Sequence, residues 1–368
     1  MGATKGIPTM TRDEVTIITI GKYNEEFPRC SEGSIVELQD GRLLLSYIKF
    51  HKSSHGSNDT APSSIFSTVS DDGGYTWKDE KVFVQLEQGT VNTFSPNYLR
   101  LPSGEILFLY FRYLQLEQGL PVFSRGLIKR SVDDGKTFVD DREMWDREPL
   151  GFPSSVIKRL STGRLLLTVE RIQGNLWTET DHSLTGVVWS DDDGHTWNLP
   201  EHYIDLPMRG AAEGHLEELA DGRVFMIMRT QLGAIFKSYS SDGGITWSKP
   251  QTTGLRAPES CPNLMRIPQT GDLMIVWNNS EYDPNFATHK GKRSPLSVAV
   301  SKDEGETWHH IKDIESHPRW CYTNPGIAFT GEGKCILTYC AAEYLSTFRM
   351  GNPFDLRAAI FDIGFLYK

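Results

Sequence analysis

The chain has 368 residues, 38% of them hydrophobic and 11% aromatic, enough apolar side chain to fill a sizeable core and too much for a disordered polymer. A formal net charge of −10 speaks against a general attraction to nucleic acid, which needs a basic face to meet phosphates. The five cysteines are scattered without C-x-x-C spacing, so buried reduced thiols are expected rather than a zinc site or a disulfide framework.

Along the chain, the first ten residues lack the apolar run of a signal peptide. No later stretch is long enough to cross a bilayer, so a soluble, cytoplasmic protein without membrane contact is expected. Val15-Thr16-Ile17-Ile18-Thr19-Ile20 reads as a strand. A polar turn ending at Gly41 then leads into Leu43-Leu44-Leu45, and further on comes Ser70-Asp71-Asp72-Gly73-Gly74-Tyr75-Thr76-Trp77. Both signals return. The glycine before an apolar strand recurs at Gly104, Gly163, Gly222, Gly271 and Gly333, with spacings of 63, 59, 59, 49 and 62 residues. The Ser-x-Asp-x-Gly-x-Thr-Trp/Phe string starts again at Ser131, Ser190, Ser240 and Ser301, with spacings of 61, 59, 50 and 61. Both series shorten at the same place, so they mark one repeating unit carrying four short strands.

The string has the chemistry of a hairpin turn: a carboxylate to accept from turn N–H groups, a glycine for positive φ, and an aromatic to wedge between sheets. Its aspartates are therefore structural. One such unit cannot bury both faces of its sheet, and the repeated solution is radial packing around a channel. The expected fold is all-β: a six-bladed β-propeller of four-stranded antiparallel blades, with residues 1–368 forming a single domain. The string is missing after Gly333, and residues 15–20 are expected to supply the last blade's outer strand.

In a propeller the inner strands line the channel, and the loops at one mouth form a concave site. Seven or eight residues beyond the repeat glycines stand Lys49, Arg112, Arg171, Arg229, Asn278 and Cys340. Four cations at equivalent strand ends of an acidic protein point to a pocket for an anion, most simply a carboxylate.

Five of these Asp boxes on six sheets resemble the sialidase (neuraminidase) superfamily over essentially the whole chain, and the run from Glu213 to Arg229 is similar to its segment in which a glutamate is followed by an arginine one strand later. The resemblance implies that Glu213 is the general base that polarises the nucleophile, and that Arg229 is one of three arginines gripping a substrate carboxylate. Arg293, directly before the fifth box, and Arg29, in Phe27-Pro28-Arg29-Cys30, would complete the triad. Trp320-Cys321-Tyr322-Thr323-Asn324-Pro325 is similar to the family's segment with the nucleophilic tyrosine, which makes Tyr322 the nucleophile. Asp59, eleven residues ahead of Ser70, takes the place of the acid/base. Glu32 is placed to protrude into the pocket, and Glu343 to orient an arginine.

A tyrosine suits this chemistry because the anomeric carbon of a sialic acid bears a carboxylate, which repels a charged carboxylate nucleophile but not a phenol. The implied activity is an exo-acting retaining glycoside hydrolase releasing a terminal acidic sugar, most simply sialic acid, with no cofactor and no metal. Two alternatives stay open: a hydrolase or lyase acting on another ulosonic or uronic acid, and a carbohydrate-binding propeller without catalysis. Oligomeric state is not read from the sequence.

Overall fold

Each Asp box folds into the same locked turn. In the first, Ser70 Oγ donates to Asp72 Oδ1 at 2.8 Å and accepts from the Gly74 N–H at 2.9 Å. The other carboxylate bonds go to Thr76, whose N–H and hydroxyl donate at 2.9 and 2.6 Å. Asp133, Asp192, Asp242 and Asp303 hold their threonines in the same way. Gly74 has φ +97°, and a Cβ there would stand 2.9 Å from Ile336 of the preceding blade, so the backbone itself forms the contact. The equivalent glycines Gly135, Gly194, Gly244 and Gly305 face Leu44, Ile128, Leu166 and Phe225, so each box wedges onto the blade before it.

A computed structural model of the chain describes residues 10–12, 14–56, 58–114, 123–174, 181–286, 289–344 and 353–368; the first nine residues, where no leader was read, lie outside it. Six antiparallel sheets follow one another in order, forming the six-bladed propeller. The first blade runs outward through Arg29–Glu37, Leu43–Phe50, Ser63–Ser70 and Lys78–Val84. The second and third strands of the blades are buried along nearly their whole length, as in Leu43–Phe50 and Leu273–Asn278, because both sheet faces meet a neighbouring blade. In the third blade the inner strand is split into Leu150–Gly151 and Lys158–Arg159, and the outer strand is reduced to bridges at Ile204 and Asn198.

The ring closes as the sequence implied. Val15–Gly21 pairs antiparallel with Asp355–Asp362, setting Thr16 opposite Ile360 and Ile18 opposite Ala358. The short strand Met10–Arg12 adds a fifth strand outside it. Where a sixth box would follow the third strand, the 3-10 helix Ile363–Tyr367 takes its place. Leu366 is fully buried with Val298 and Val300 of the fifth blade, and Lys312 Nζ donates to the Phe365 carbonyl at 2.5 Å.

Four inner strands carry a β-bulge at the same height, and in each a residue other than glycine takes a left-handed conformation: Glu32 (φ +46°), Ser95 (+55°), Glu213 (+46°) and Asn324 (+52°). Each stands nine residues before its repeat glycine. Ser155 (+61°) lies within the split of the third inner strand. A bulge of this kind re-aims its side chain.

Leu366→Ala is expected to lower stability by about 2–5 kcal/mol, the cost of emptying a filled core position. Urea unfolding checks this, and a midpoint equal to that of wild type would show that the helix does not act as the sixth wedge.

Candidate functional site

The inner strands run from a polar channel mouth, where the bulges sit, to an opposite mouth where Leu38, Tyr98, Ile327 and Phe329, with Glu37 and Arg100, line a mixed cleft of about 590 Å³. The bulged residues join a charged network at the first mouth. There, Arg29 Nη1 donates to Asp59 Oδ1 at 2.5 Å, while its other arm donates to Ser31 at 3.1 Å and lies 4.0 Å from Glu32 Oε1. The guanidinium stacks 4.4 Å from the centre of the Phe50 ring, which holds its plane.

Glu32 reaches across the channel. Its Oε2 accepts from Ser154 at 2.8 Å and Ser95 at 3.4 Å, and its Oε1 accepts from Asn324 Nδ2 at 3.2 Å. Four blades therefore meet at one carboxyl group. Burial pushes that carboxyl up to about 7, against the opposing pull of the Arg29 charge and the Ser154 hydrogen bond.

From Asn324 the network continues through Thr323, whose hydroxyl donates to Asn324 Oδ1 at 2.8 Å and accepts from Arg293 Nη1 at 2.9 Å. Arg293 also donates to the Glu259 carbonyl, at 3.1 Å through Nη2. The Glu259 carboxylate accepts from Arg229 Nη2 at 3.0 Å, from Gln231 at 2.8 Å and from Arg209. The other arm of Arg229 donates to Glu213 Oε2 at 2.9 Å, and the Cys261 thiol donates to the same oxygen. Burial works against the charge on Glu213, but Arg229, the thiol and Arg293 outweigh it and hold the carboxyl below its ordinary range. Glu170, which receives the Glu213 backbone N–H, is pushed the other way by burial and by the Glu213 charge.

Of the six residues singled out in the sequence, the structure thus brings Arg29, Asp59, Glu213, Arg229 and Arg293 into one polar network. Tyr322 is not part of it. Its main chain lies beside Arg293, accepting no side-chain contact from Glu213, but its ring is fully buried and its hydroxyl lies 3.4 Å from Glu315 on the outer strand of the fifth blade. Tyr339 and Arg357 share that glutamate at 3.1 and 3.0 Å. Burial and the Glu315 charge both raise the phenol, away from phenolate formation. The reason is alternation along the strand: Tyr322 points between blades, and the bulge turns Asn324 into the channel.

The same rule revises the ring of cations. Lys49 and Arg112 stand eight residues beyond their glycines and pair outward with Glu80, at 2.5 Å, and Glu87; Arg171 lies over the Tyr203 ring at 5.8 Å. Arg229, seven residues beyond, faces the site, and the matching position in the third blade is Glu170. Glu343 pairs at 2.6 Å with Arg319, a largely exposed residue, rather than with Arg29, Arg229 or Arg293. Sequence reasoning missed Glu259, Arg209, Glu170, Cys261 and Asn324. The shared nine-residue offset could have found Asn324, but Arg209 and Glu259 lie between blades, where no repeat marks them.

A family model described as BNR repeat-like domain matches residues 41–337. A sialidase of Micromonospora viridifaciens is 25% identical over 339 residues, covering 82% of this chain and 48% of that protein, so the chain spans about half the length of this curated relative. Among solved structures, a protein of unknown function from Dyadobacter fermentans superposes with a TM-score of 0.74 at 17% identity, covering 97% of this chain and all of the other. A mutant of the NanB sialidase from Streptococcus pneumoniae gives 0.72 at 14% identity, over 97% of this chain and 72% of that one. At these identities the superpositions speak for the fold.

Because Glu32 binds its proton more tightly in the folded than in the unfolded chain, its contribution to stability is complete below the ordinary glutamate value of 4.5 and is lost as pH rises through about 7. The urea midpoint of wild type is expected to fall relative to that of Glu32→Gln between those limits. Parallel curves would refute the assignment.

Proposed function

Because the chain belongs to the BNR repeat-like domain family of the sialidase superfamily, we propose that it is an exo-acting glycoside hydrolase that releases a terminal acidic sugar, sialic acid foremost, from a glycan. The observation that carries this reading is the state of Arg293. The residue is 8% exposed, and its guanidinium donates to neutral oxygens, the Glu259 carbonyl and the Thr323 hydroxyl; among the described residues no carboxylate lies within ion-pair distance of it. The Glu213 and Glu259 charges act on it only at a distance, so a carboxylate bound directly to this buried cation would supply the close pairing it lacks.

Arg293 would thus bind the sugar acid, and Arg229, fixed between Glu213 and Glu259, would back it. Glu213 is the carboxylate held ionised beside them, suited to take a proton or to balance a developing positive charge at the anomeric carbon. The relationship to the Micromonospora viridifaciens sialidase favours sialic acid as the first substrate to test. A second reading, another ulosonic or uronic acid, is favoured by Glu32, whose carboxyl occupies channel space beside Arg29 and restricts which ring substituents fit.

The test is a panel of chromogenic glycosides of sialic acid, other ulosonic acids, uronic acids and neutral hexoses, given to the purified protein. Release from an acidic member alone is expected. Arg293→Ala should lower kcat/KM by roughly a hundredfold or more, whereas Tyr322→Phe should leave turnover near the wild-type rate. Binding without release would favour a carbohydrate-binding propeller, and equal turnover of neutral sugars would end the anion reading.

A further inference from the structure

The network holds a second carboxyl group on the channel axis that the superfamily resemblance did not assign to catalysis. We propose that Glu32 is the general acid of this site, delivering a proton from Oε1 to the leaving glycosidic oxygen while Glu213 acts as the base for water; this rests on the hydrolase reading above.

The geometry distinguishes the two oxygens of Glu32. Oε2 is fixed by two hydroxyl donors, Ser154 at 2.8 Å and Ser95 at 3.4 Å. Oε1 has one neutral amide donor, Asn324, at 3.2 Å and a guanidinium 4.0 Å away, so it keeps a lone pair to carry a proton. The left-handed bulge at Glu32 is repeated at Glu213, so two carboxyl groups from blades separated by two others are aimed from the same height into one channel.

Their surroundings divide their roles. Glu213 is hydrogen-bonded to Arg229 and the Cys261 thiol and stays ionised, while Glu32, buried and hydrogen-bonded to neutral donors with Arg29 4.0 Å away, keeps its proton up to about 7. Asp59 is the less suitable donor, since its Oδ1 is engaged by Arg29 at 2.5 Å. The titratable or charged groups facing Glu32 are Arg29 on its own strand, Asp59 on the adjoining loop, Tyr113 of the second blade, Glu213 of the fourth and the Cys340 thiol of the sixth.

In the step, the Glu32 O–H bond breaks and its proton passes to the glycosidic oxygen. The bond from that oxygen to the anomeric carbon cleaves, and its electron pair stays on the leaving group. Water adds to the electron-deficient carbon, and its surplus proton goes to Glu213. Solvent then takes that proton and returns one to Glu32, so one water is consumed and no oxidant or covalent enzyme intermediate is needed. A carboxylate attacking a carbon that already carries a carboxylate is repelled, which is why Glu213 serves water here rather than attacking itself.

The experiment measures kcat/KM against pH for glycosides of the acidic sugar with an activated phenol or a poor alcohol leaving group. Wild type should lose activity as Glu32 ionises near pH 7. Glu32→Gln, which keeps the shape, should lose about 10²- to 10⁴-fold on the alcohol glycoside, much less on the phenol glycoside, and should lack the alkaline limb. Asp59→Asn should keep that limb. Asn324→Asp places a second carboxylate beside Oε1 and should move the limb to higher pH, a shift that a merely structural role does not produce.

An unchanged alkaline limb in Glu32→Gln, or equal losses on both leaving groups, would overturn the assignment while leaving the hydrolase reading intact. Wild type inert toward every acidic glycoside would overturn both.

Discussion

Every blade of this propeller is apolar on both faces, so none has a stable surface until the ring closes on itself. Closure depends on the ladder between Val15–Gly21 and Asp355–Asp362, two segments from opposite ends of the sequence. The same seam places the last blade against the inner strand of the first: Cys30 N–H donates to the Phe354 carbonyl at 2.9 Å, and Cys340 Sγ, on the last blade's second strand, lies 3.2 Å from Ser31 Oγ. Asn324 meets Glu32 only because of this closure, so the polar mouth depends on the terminal strands as much as on its own loops.

Around that mouth, backbone strain serves placement. Glu32, Ser95, Glu213 and Asn324 each hold a left-handed conformation that costs about 1–3 kcal/mol for a residue other than glycine. Such strain persists only where the surrounding ladder over-determines it, and all four bulges sit inside continuous antiparallel pairing. The return is positional: a side chain that strand alternation would send between blades is turned to the axis.

Electrostatically the site is a chain of alternating partners rather than a positive bowl. Asp59, Arg29, Glu32, Asn324, Thr323, Arg293, Glu259, Arg229 and Glu213 are linked in that order. Arg293 is the cation whose hydrogen-bond partners are neutral acceptors, and Glu32 is the acid whose hydrogen-bond donors are neutral, with the Arg29 guanidinium 4.0 Å away. An acidic ligand and a transferable proton are the two things such an arrangement lacks or can supply.

The sequence by itself determined the architecture. Two interlocked repeats with a common short spacing imply six repeated sheets, and the absence of a sixth box identified the blade that borrows its outer strand, because both signals are local and turn chemistry is written in adjacent residues. Glu213 and Arg229 were legible for a similar reason, since one hairpin carries both. What the tertiary structure decided was direction. A strand sends neighbouring residues to opposite faces, so reading eight rather than seven positions past the glycine selected Lys49, Arg112 and Arg171, which pair with or stack on outer strands, and passed over Glu170. A bulge shifts that alternation by one residue, which is why Asn324 faces the channel and Tyr322, two residues earlier, is buried against Glu315.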